Sequence, residues 1–293
     1  MKMKELYKKE GFITAPGCYD PLSALALQKI GFKATYIGGW AVGAHLGVTE
    51  PLTTMTEFAD IIRRIHHVAD IPIAADMGAG FGLITNMKRS VREFEDAGAE
   101  IVHLEDQVVP KRIGYHKGNQ EYISVDEMLL KIEAAKSARR SDDFMIIART
   151  DAGRKKGEPF QNMIDRLNIY KTGGPDMLMG FPHNEEEMLA LPKAVDYPLC
   201  YVASEGLGGD AASGSRPCPT PEEAKSYGYS MIIYPLTPVL ASYSKLIQVY
   251  QRMYDTGKSG MDPAETSRLS KEIMSLISID QLADLEINAD KLK

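Results

Sequence analysis

The sequence predicts the α/β class and, within it, a (β/α)8 TIM-type barrel. Three observations carry this. Short apolar, β-prone runs recur eight times at fairly even intervals. Stretches with apolar residues three and four positions apart lie between most of them. No GxGxxG follows the first run, which counts against a dinucleotide-binding sheet. Alternation of strand and helix points to a parallel sheet wrapped by helices, and eight units favour closure over an open sheet. A length of 293 residues suits one such barrel.

The strand runs are FITAPG (12–17), ATYIGG (34–39), IPIAAD (71–76), IVHLED (101–106), FMIIART (144–150), DMLMGF (176–181), LCYVAS (199–204) and MIIYPL (231–236). Helical periodicity marks 22–31, 58–69, 90–99 and 125–138. Several of these helices end on a glycine and re-enter a strand, as in KIGFKATYI and DAGAEIVHL. After the eighth run, 240–257 reads as a helix and 267–286 as a second amphipathic helix. One completes the barrel. The other is surplus, and its Met/Ile/Leu stripe must pack on its own barrel or on a neighbouring subunit. The expected domains are a catalytic barrel over 1–257 and a helical extension over 258–293. DAASGSRPCPTP (210–221) reads as a mobile loop.

Composition narrows the function classes. With 44% hydrophobic and 25% charged residues the chain has the profile of an ordinary soluble globular protein, able to fill a core without disulfide or metal staples. A net charge of −6 argues against nucleic acid or anionic membrane as partners, though a locally basic pocket remains compatible. The three cysteines form no CxxC pair, which fits a reducing, cytoplasmic setting. MKMKELYKKEG has no apolar core and is not expected to be a secretory signal. No apolar run approaches the roughly 18 residues of a membrane span.

In a barrel of this kind reacting groups stand at the C-terminal ends of strands and in the loops after them. Those positions hold Tyr36, Gly38, Gly39 and Trp40 after strand two, Asp76 after strand three, and Glu105 and Asp106 after strand four. Arg149 and Asp151 follow strand five, and Ser204 and Glu205 follow strand seven. Carboxylates buried at adjacent strand ends raise each other's pKa, and a hard divalent cation relieves that cost. Asp76 and Glu105 suit a Mg²⁺ that keeps several waters. Alternatively, one of them pairs with Arg149 and no metal binds. Gly38 and Gly39 leave backbone N–H groups open to an oxyanion, or serve only a turn. Arg149 suits bidentate capture of a carboxylate, or forms an ion pair with Asp151 or Glu105. His66 and His67 fall within a helix and His103 within a strand, all three reading as structural. His116 is the one histidine in a glycine-flanked loop after a strand.

The order YIGGWAV, ADMGAGFG, HLEDQ, PKRIGYHKG, IIARTDA resembles the isocitrate lyase / phosphoenolpyruvate mutase superfamily, especially its isocitrate lyase and 2-methylisocitrate lyase branches. The resemblance runs from about residue 12 to the C-terminus. It implies a Mg²⁺-dependent barrel acting on small 2-oxo or 2-hydroxy acids. It also implies a last helix swapped between subunits of a homotetramer, a dimer of dimers. By the resemblance Tyr36 stands near the reacting carbonyl or hydroxyl, and Gly38, Gly39 and Trp40 form a backbone cradle. Asp76 and Glu105 belong to the metal site, and Arg149 and Arg268 bind substrate carboxylates.

Departures from the pattern shape the expected chemistry. The lid carries Ile113 where lyases have an acidic cysteine, and Tyr115 where they have histidine. Gly78 stands in place of a second metal-site acid. Phe181, Val202 and Leu240 fall where glutamate, asparagine and arginine are usual, while Ser204 keeps a hydroxyl. A charge-assisted hydrogen bond to substrate is worth about 1.5–3 kcal/mol, so replacing three such partners disfavours a tricarboxylic substrate and favours a smaller or more apolar one. Tyr115 and His116 are the candidates for the missing proton donor. The lid would close through Gly114 and Gly118.

Three functions follow as expectations. The first is a Mg²⁺-dependent carbon–carbon lyase acting on a small substituted 2-hydroxy di-acid, such as 2-methylisocitrate or dimethylmalate. The second is an oxaloacetate-type decarboxylase or an enzyme of phosphonate P–C chemistry, for which Asn119 is a weak pointer. The third is a barrel that binds an oxo acid without turning it over.

Overall fold

All eight apolar runs form strands, and the strands close on themselves in chain order. They are β1 (Ile13–Cys18), β2 (Thr35–Ile37), β3 (Ile73–Asp76), β4 (Ala99–Glu105), β5 (Met145–Arg149), β6 (Met177–Met179), β7 (Leu199–Val202) and β8 (Met231–Tyr234). Every neighbouring pair is parallel, and β1 seals against β8 from Ile13↔Met231 to Pro16↔Tyr234. The structure, a computed structural model, describes residues 1–118, 120–153, 157–204 and 217–291. Glu205, Asn119 and most of the expected loop 210–221 lie outside the described residues.

Because helices cover the outside and side chains fill the inside, the strands are apolar on both faces. β5, MIIAR, is buried at all five positions. The helix Met55–His66 shows how the outer layer attaches. Phe58, Ile61, Ile62 and Ile65 recur at three- and four-residue spacing and are all buried, while Arg63, Arg64 and His66 crowd its C-terminal turn, opposite in charge to the helix dipole there. Thr54 Oγ1 accepts the Glu57 N–H at its start, and the Thr54 N–H donates back to the Glu57 carboxylate. Removing each such aliphatic side chain from water stabilises the fold by about 1.5–3 kcal/mol. The helix expected over 90–99 begins earlier, at Ile84, and ends at Ala97 against Gly98.

Among the helices that the sequence pattern does not mark are Met3–Glu10, Gly39–Leu46, Phe160–Tyr170 and Glu185–Val195. The helix Met3–Glu10 buries Met3 and Leu6 and lies at the N-terminal ends of the strands. Its Met3 N–H bonds Glu100 at the start of β4 (2.5 Å), and Tyr7 Oη bonds Ser230 ahead of β8 (3.1 Å). The helix therefore packs on the N-terminal ends of β4 and β8, and the opposite, C-terminal strand ends are where a barrel of this kind places its chemistry.

The chain divides into two compact units, Met1–Val239 and Leu240–Lys293. The sequence pattern sets the junction later, after residue 257. The second unit carries most of the helix Thr237–Thr256, then Pro263–Leu276 and Ile279–Asp290. The single helix expected over 267–286 is thus two helices. Ser278 takes the left-handed conformation (φ 59°), which an α-helix cannot contain, and the chain turns there. Tyr243, Leu246, Tyr250, Leu282 and Leu285 of this unit are exposed. Among the described residues no helix is long and apolar enough to cross a membrane.

The β1–β8 seam gives a stability prediction. A Cβ on Gly17 would stand 2.6 Å from the Tyr234 carbonyl oxygen, a backbone atom with no freedom to move aside. Gly17→Ala is expected to lower unfolding stability by about 1–3 kcal/mol, the usual penalty of overpacking, as read by urea denaturation.

Candidate active site

Strand register decides which side chains meet. Tyr36 pairs with Ala74, and Asp76 lies two residues beyond Ala74 on the same face. Asp76 pairs with His103, and Glu105 lies two residues beyond His103. Glu105 in turn pairs with Arg149. Tyr36, Asp76, His103, Glu105 and Arg149 therefore share the barrel interior toward the C-terminal ends of the strands, and all five are buried.

Their contacts form one chain. The Tyr36 hydroxyl lies 2.7 Å from His103 Nε2, and His103 Nδ1 lies 3.5 Å from Asp76 Oδ1. Asp76 accepts the Gly78 N–H (2.8 Å) and the Gly39 N–H (3.2 Å). Arg149 reaches Glu105 (3.0 Å) and sits 3.8 Å from Asp76, while its Nε and Nη2 donate to Asp151 at 2.6 and 3.0 Å. Arg149 is thus ion-paired with both Asp151 and Glu105. Its guanidinium also lies over the Phe181 ring at 4.8 Å.

Asp106, one residue past Glu105, faces away from it toward the outer layer. It accepts Thr150 Oγ1 (2.6 Å), Tyr170 Oη (2.8 Å), Arg166 Nη1 (3.1 Å) and the Asp151 N–H (3.0 Å). This node fixes the backbone of Asp151, whose carboxylate aims Arg149.

The lid stretch after β4 adds two groups that the sequence pattern does not single out. Lys111 Nζ lies between two carboxylates, 2.8 Å from Glu105 Oε1 and 2.5 Å from Glu50 Oε1. Glu50 opens a short 3₁₀ turn, Glu50–Leu52, in the connection from β2 to the next barrel helix. Tyr115 Oη donates to the other Glu50 oxygen, and Lys111 lies 4.1 Å above the Tyr115 ring. Ile113, by contrast, is 61% exposed, so the position that would hold a lid acid points to solvent.

The two glycines after β2 stand where a side chain would have no room. A Cβ on Gly39 would lie 2.9 Å from the Glu50 side chain, and one on Gly38 would lie 3.0 Å from the Tyr36 ring. Their bare faces are filled by protein, and the Gly39 N–H is already bonded to Asp76. Trp40 is the second residue of the helix Gly39–Leu46 and is half-buried; Gly114 lies in the lid's 3₁₀ turn Ile113–Lys117, and Ser204 is buried just past β7. The backbone of His116 lies in the same turn. Arg268 lies in the second unit, exposed, bonded to Glu265 and Glu272 of its own helix. His103, read from the sequence as core, is buried as expected but belongs to the site.

Burial controls the protonation of this cluster. It pushes the Glu105 carboxyl up to about 7, with Arg149 and Lys111 pulling the other way. Burial also acts to raise Asp76, but the facing His103 ring, the charges of Arg149 and Lys111 and the Gly78 N–H outweigh it, leaving Asp76 below its ordinary value. Burial drives His103 down to about 4, so the ring is neutral at pH 7. Burial and the nearby Asp76 charge hold the Tyr36 hydroxyl well above its ordinary value. Tyr36 therefore keeps its proton and donates to Nε2, leaving the ring proton on Nδ1 facing Asp76.

Both Glu105 oxygens are buried without a well-directed hydrogen bond, although cations stand close by. Unsatisfied buried carboxylate oxygens are costly, and a hard cation satisfies them. Among the described residues no group of three or more His, Cys, Asp or Glu side chains is arranged to hold a metal. Asp76 and Glu105 therefore fit a Mg²⁺ that keeps most of its waters, and do not fit a fully protein-ligated ion.

The phosphoenolpyruvate phosphomutase family model matches residues 3–254. This chain belongs to the phosphoenolpyruvate mutase / isocitrate lyase superfamily of enzymes. Among its relatives in the superfamily, 2,3-dimethylmalate lyase of Eubacterium barkeri is 34% identical, covering 98% of this chain and 96% of that protein. A 2-methylisocitrate lyase of Aeropyrum pernix is also 34% identical, covering 87% and 80%. Among solved structures, oxaloacetate acetylhydrolase with 3,3-difluorooxalacetate superposes with a TM-score of 0.86 at 27% identity, covering 98% of this chain and 96% of that one. A phosphonopyruvate hydrolase solved with oxalate and Mg²⁺ shares the fold, with a TM-score of 0.81.

The raised Glu105 value predicts a pH dependence of stability in the metal-free protein. Its folded value lies above the ordinary 4.5, so the unfolded chain ionises first. The group's contribution is full below about pH 4.5 and is lost as pH rises through about 7. Denaturant titrations are expected to show stability falling by about 1–3 kcal/mol across that window. Glu105→Gln should remove that part of the slope.

Proposed function

We propose that the protein is a Mg²⁺-dependent carbon–carbon lyase that splits a small 2-hydroxy di-acid bearing an alkyl substituent and releases a 2-oxo acid. One observation carries the reading: a buried phenol is hydrogen-bonded to a neutral imidazole, beside two carboxylates of which one, Glu105, has both oxygens buried without a hydrogen bond. Cleavage begins when the substrate's 2-hydroxyl loses its proton. Tyr36 takes that proton while passing its own to His103 Nε2, and Asp76 faces the imidazolium so formed. The bond between C2 and C3 then breaks, and its electron pair goes to the departing fragment. That fragment regains a proton from Tyr115, the buried hydroxyl of the lid, which Glu50 orients. His116 on the same turn is the second candidate donor.

Asp76 and Glu105 would hold the metal, and a bound Mg²⁺ supplies charge withdrawal from the oxygens of the reacting acid. Arg149, fixed by Asp151, takes a substrate carboxylate, with the Gly38–Trp40 backbone, Gly114 and Ser204 around it. Phe181 and Val202 face the substituent, which suits dimethylmalate-like acids better than a third carboxylate. The Arg268 charge is met on its own helix, and this reading does not use it. Assembly into a homotetramer through the C-terminal helices belongs to the same proposal, supported by their exposed apolar residues.

A second reading, oxaloacetate decarboxylation, is favoured by one observation: Ile113 leaves the lid without its usual acid. One assay separates the two. With Mg²⁺, a panel of alkyl-substituted malates should yield pyruvate or glyoxylate, and Tyr36→Phe should lower kcat by about 10²–10⁴-fold with little change in KM. Turnover of oxaloacetate alone favours the second reading. No turnover of either rejects both.

A further inference from the structure

We infer that Lys111 is a tethered counter-cation that competes with the metal for Glu105 and stays on the lid's Glu50 anchor when displaced. The inference rests on the proposed Mg²⁺ site. Glu105 is fully buried, and its Oε1 faces Lys111 Nζ at 2.8 Å. That approach is close enough to cancel charge, yet it is not a well-directed hydrogen bond, since Oε1 has no such partner. An ammonium held only by charge is what an incoming divalent cation can displace.

Lys111 also has a second place to go. Its Nζ is 2.5 Å from Glu50 Oε1, and the other Glu50 oxygen accepts the Tyr115 hydroxyl. Glu50 thus holds the lid through two residues of the lid itself, whether or not Lys111 touches Glu105. When a cation takes Glu105, the lysine keeps its bond to Glu50 and gives up one of its two carboxylates. In the metal-free protein the same lysine keeps Glu105 from being a bare buried charge. The neighbouring basic residue makes the contrast. Arg112 is exposed and forms both its side-chain bonds to Glu121, at 3.0 Å each, away from the buried carboxylates.

The test is Mg²⁺ titration of the full-length protein by isothermal titration calorimetry, comparing wild type, Lys111→Met and Arg112→Met, with circular dichroism to check the fold of each. Lys111→Met is expected to bind Mg²⁺ at least tenfold more tightly than wild type, and Arg112→Met to match wild type. Wild-type affinity in Lys111→Met overturns the inference while leaving the metal site in place. An equal gain in both variants also overturns it, because the effect would then be the general loss of a positive charge. Absence of Mg²⁺ binding in all three proteins rejects the metal site and the inference together.

Discussion

Two carboxylates are driven into the same dry end of a closed barrel, and the structure around them is organised to make that tolerable. Strand pairing leaves no choice about it. Once β3, β4 and β5 are in register, Asp76, Glu105 and Arg149 face the interior together. The charge must be met from nearby, and Arg149, Lys111 and the Gly39 and Gly78 N–H groups meet it. Asp76 is well supplied and ionises readily. Glu105 is not, and its proton affinity rises toward neutrality. Neighbours with the same functional group thus come to differ in character, one a permanent anion and the other a conditional one.

The remaining parts of the site follow from this arrangement. A neutral His103 beside a fixed Asp76 can accept the Tyr36 proton, because burial strips the ring of its charge and the carboxylate is ready to face it if charge returns. Glu50 brings a third carboxylate close to the pair, and it does so on a segment that also receives the lid. The bare face of Gly39 exists to let Glu50 in; any side chain there would collide with it. The lid and the carboxylate cluster are therefore a single electrostatic assembly, built across β2, β3, β4 and β5 and the connections that follow β2 and β4.

The barrel was legible because its signal is repetitive. Eight buried apolar runs with glycine-capped helices between them leave little room for another topology, and Asp76, Glu105 and Arg149 could be named because they are polar residues at strand ends. Other features had weaker sequence signals. The helix Met3–Glu10 has only two buried residues, too few to show a clear stripe. Ser278 is an ordinary serine whose left-handed backbone no residue type announces. His103 reads as core because it is core by burial; its role appears only when strand register sets it opposite Asp76. Glu50 and Lys111 are 61 residues apart in the chain and meet only in three dimensions. For Arg149 the sequence left two roles open, and only the bonds to Asp151 and Glu105 show which interaction holds it in this structure.

Asp106 ties the mouth of the barrel to its outer wall. Because it gathers Thr150, Tyr170 and Arg166 around one carboxylate and also grips the Asp151 backbone, the aim of the Arg149 fork is set partly by the helix Phe160–Tyr170 on the outside of the sheet. A change in that outer helix would re-aim the Arg149 guanidinium without altering any residue at the strand ends. Such a change would be silent to an inventory of mouth residues, yet legible in the angle of one guanidinium.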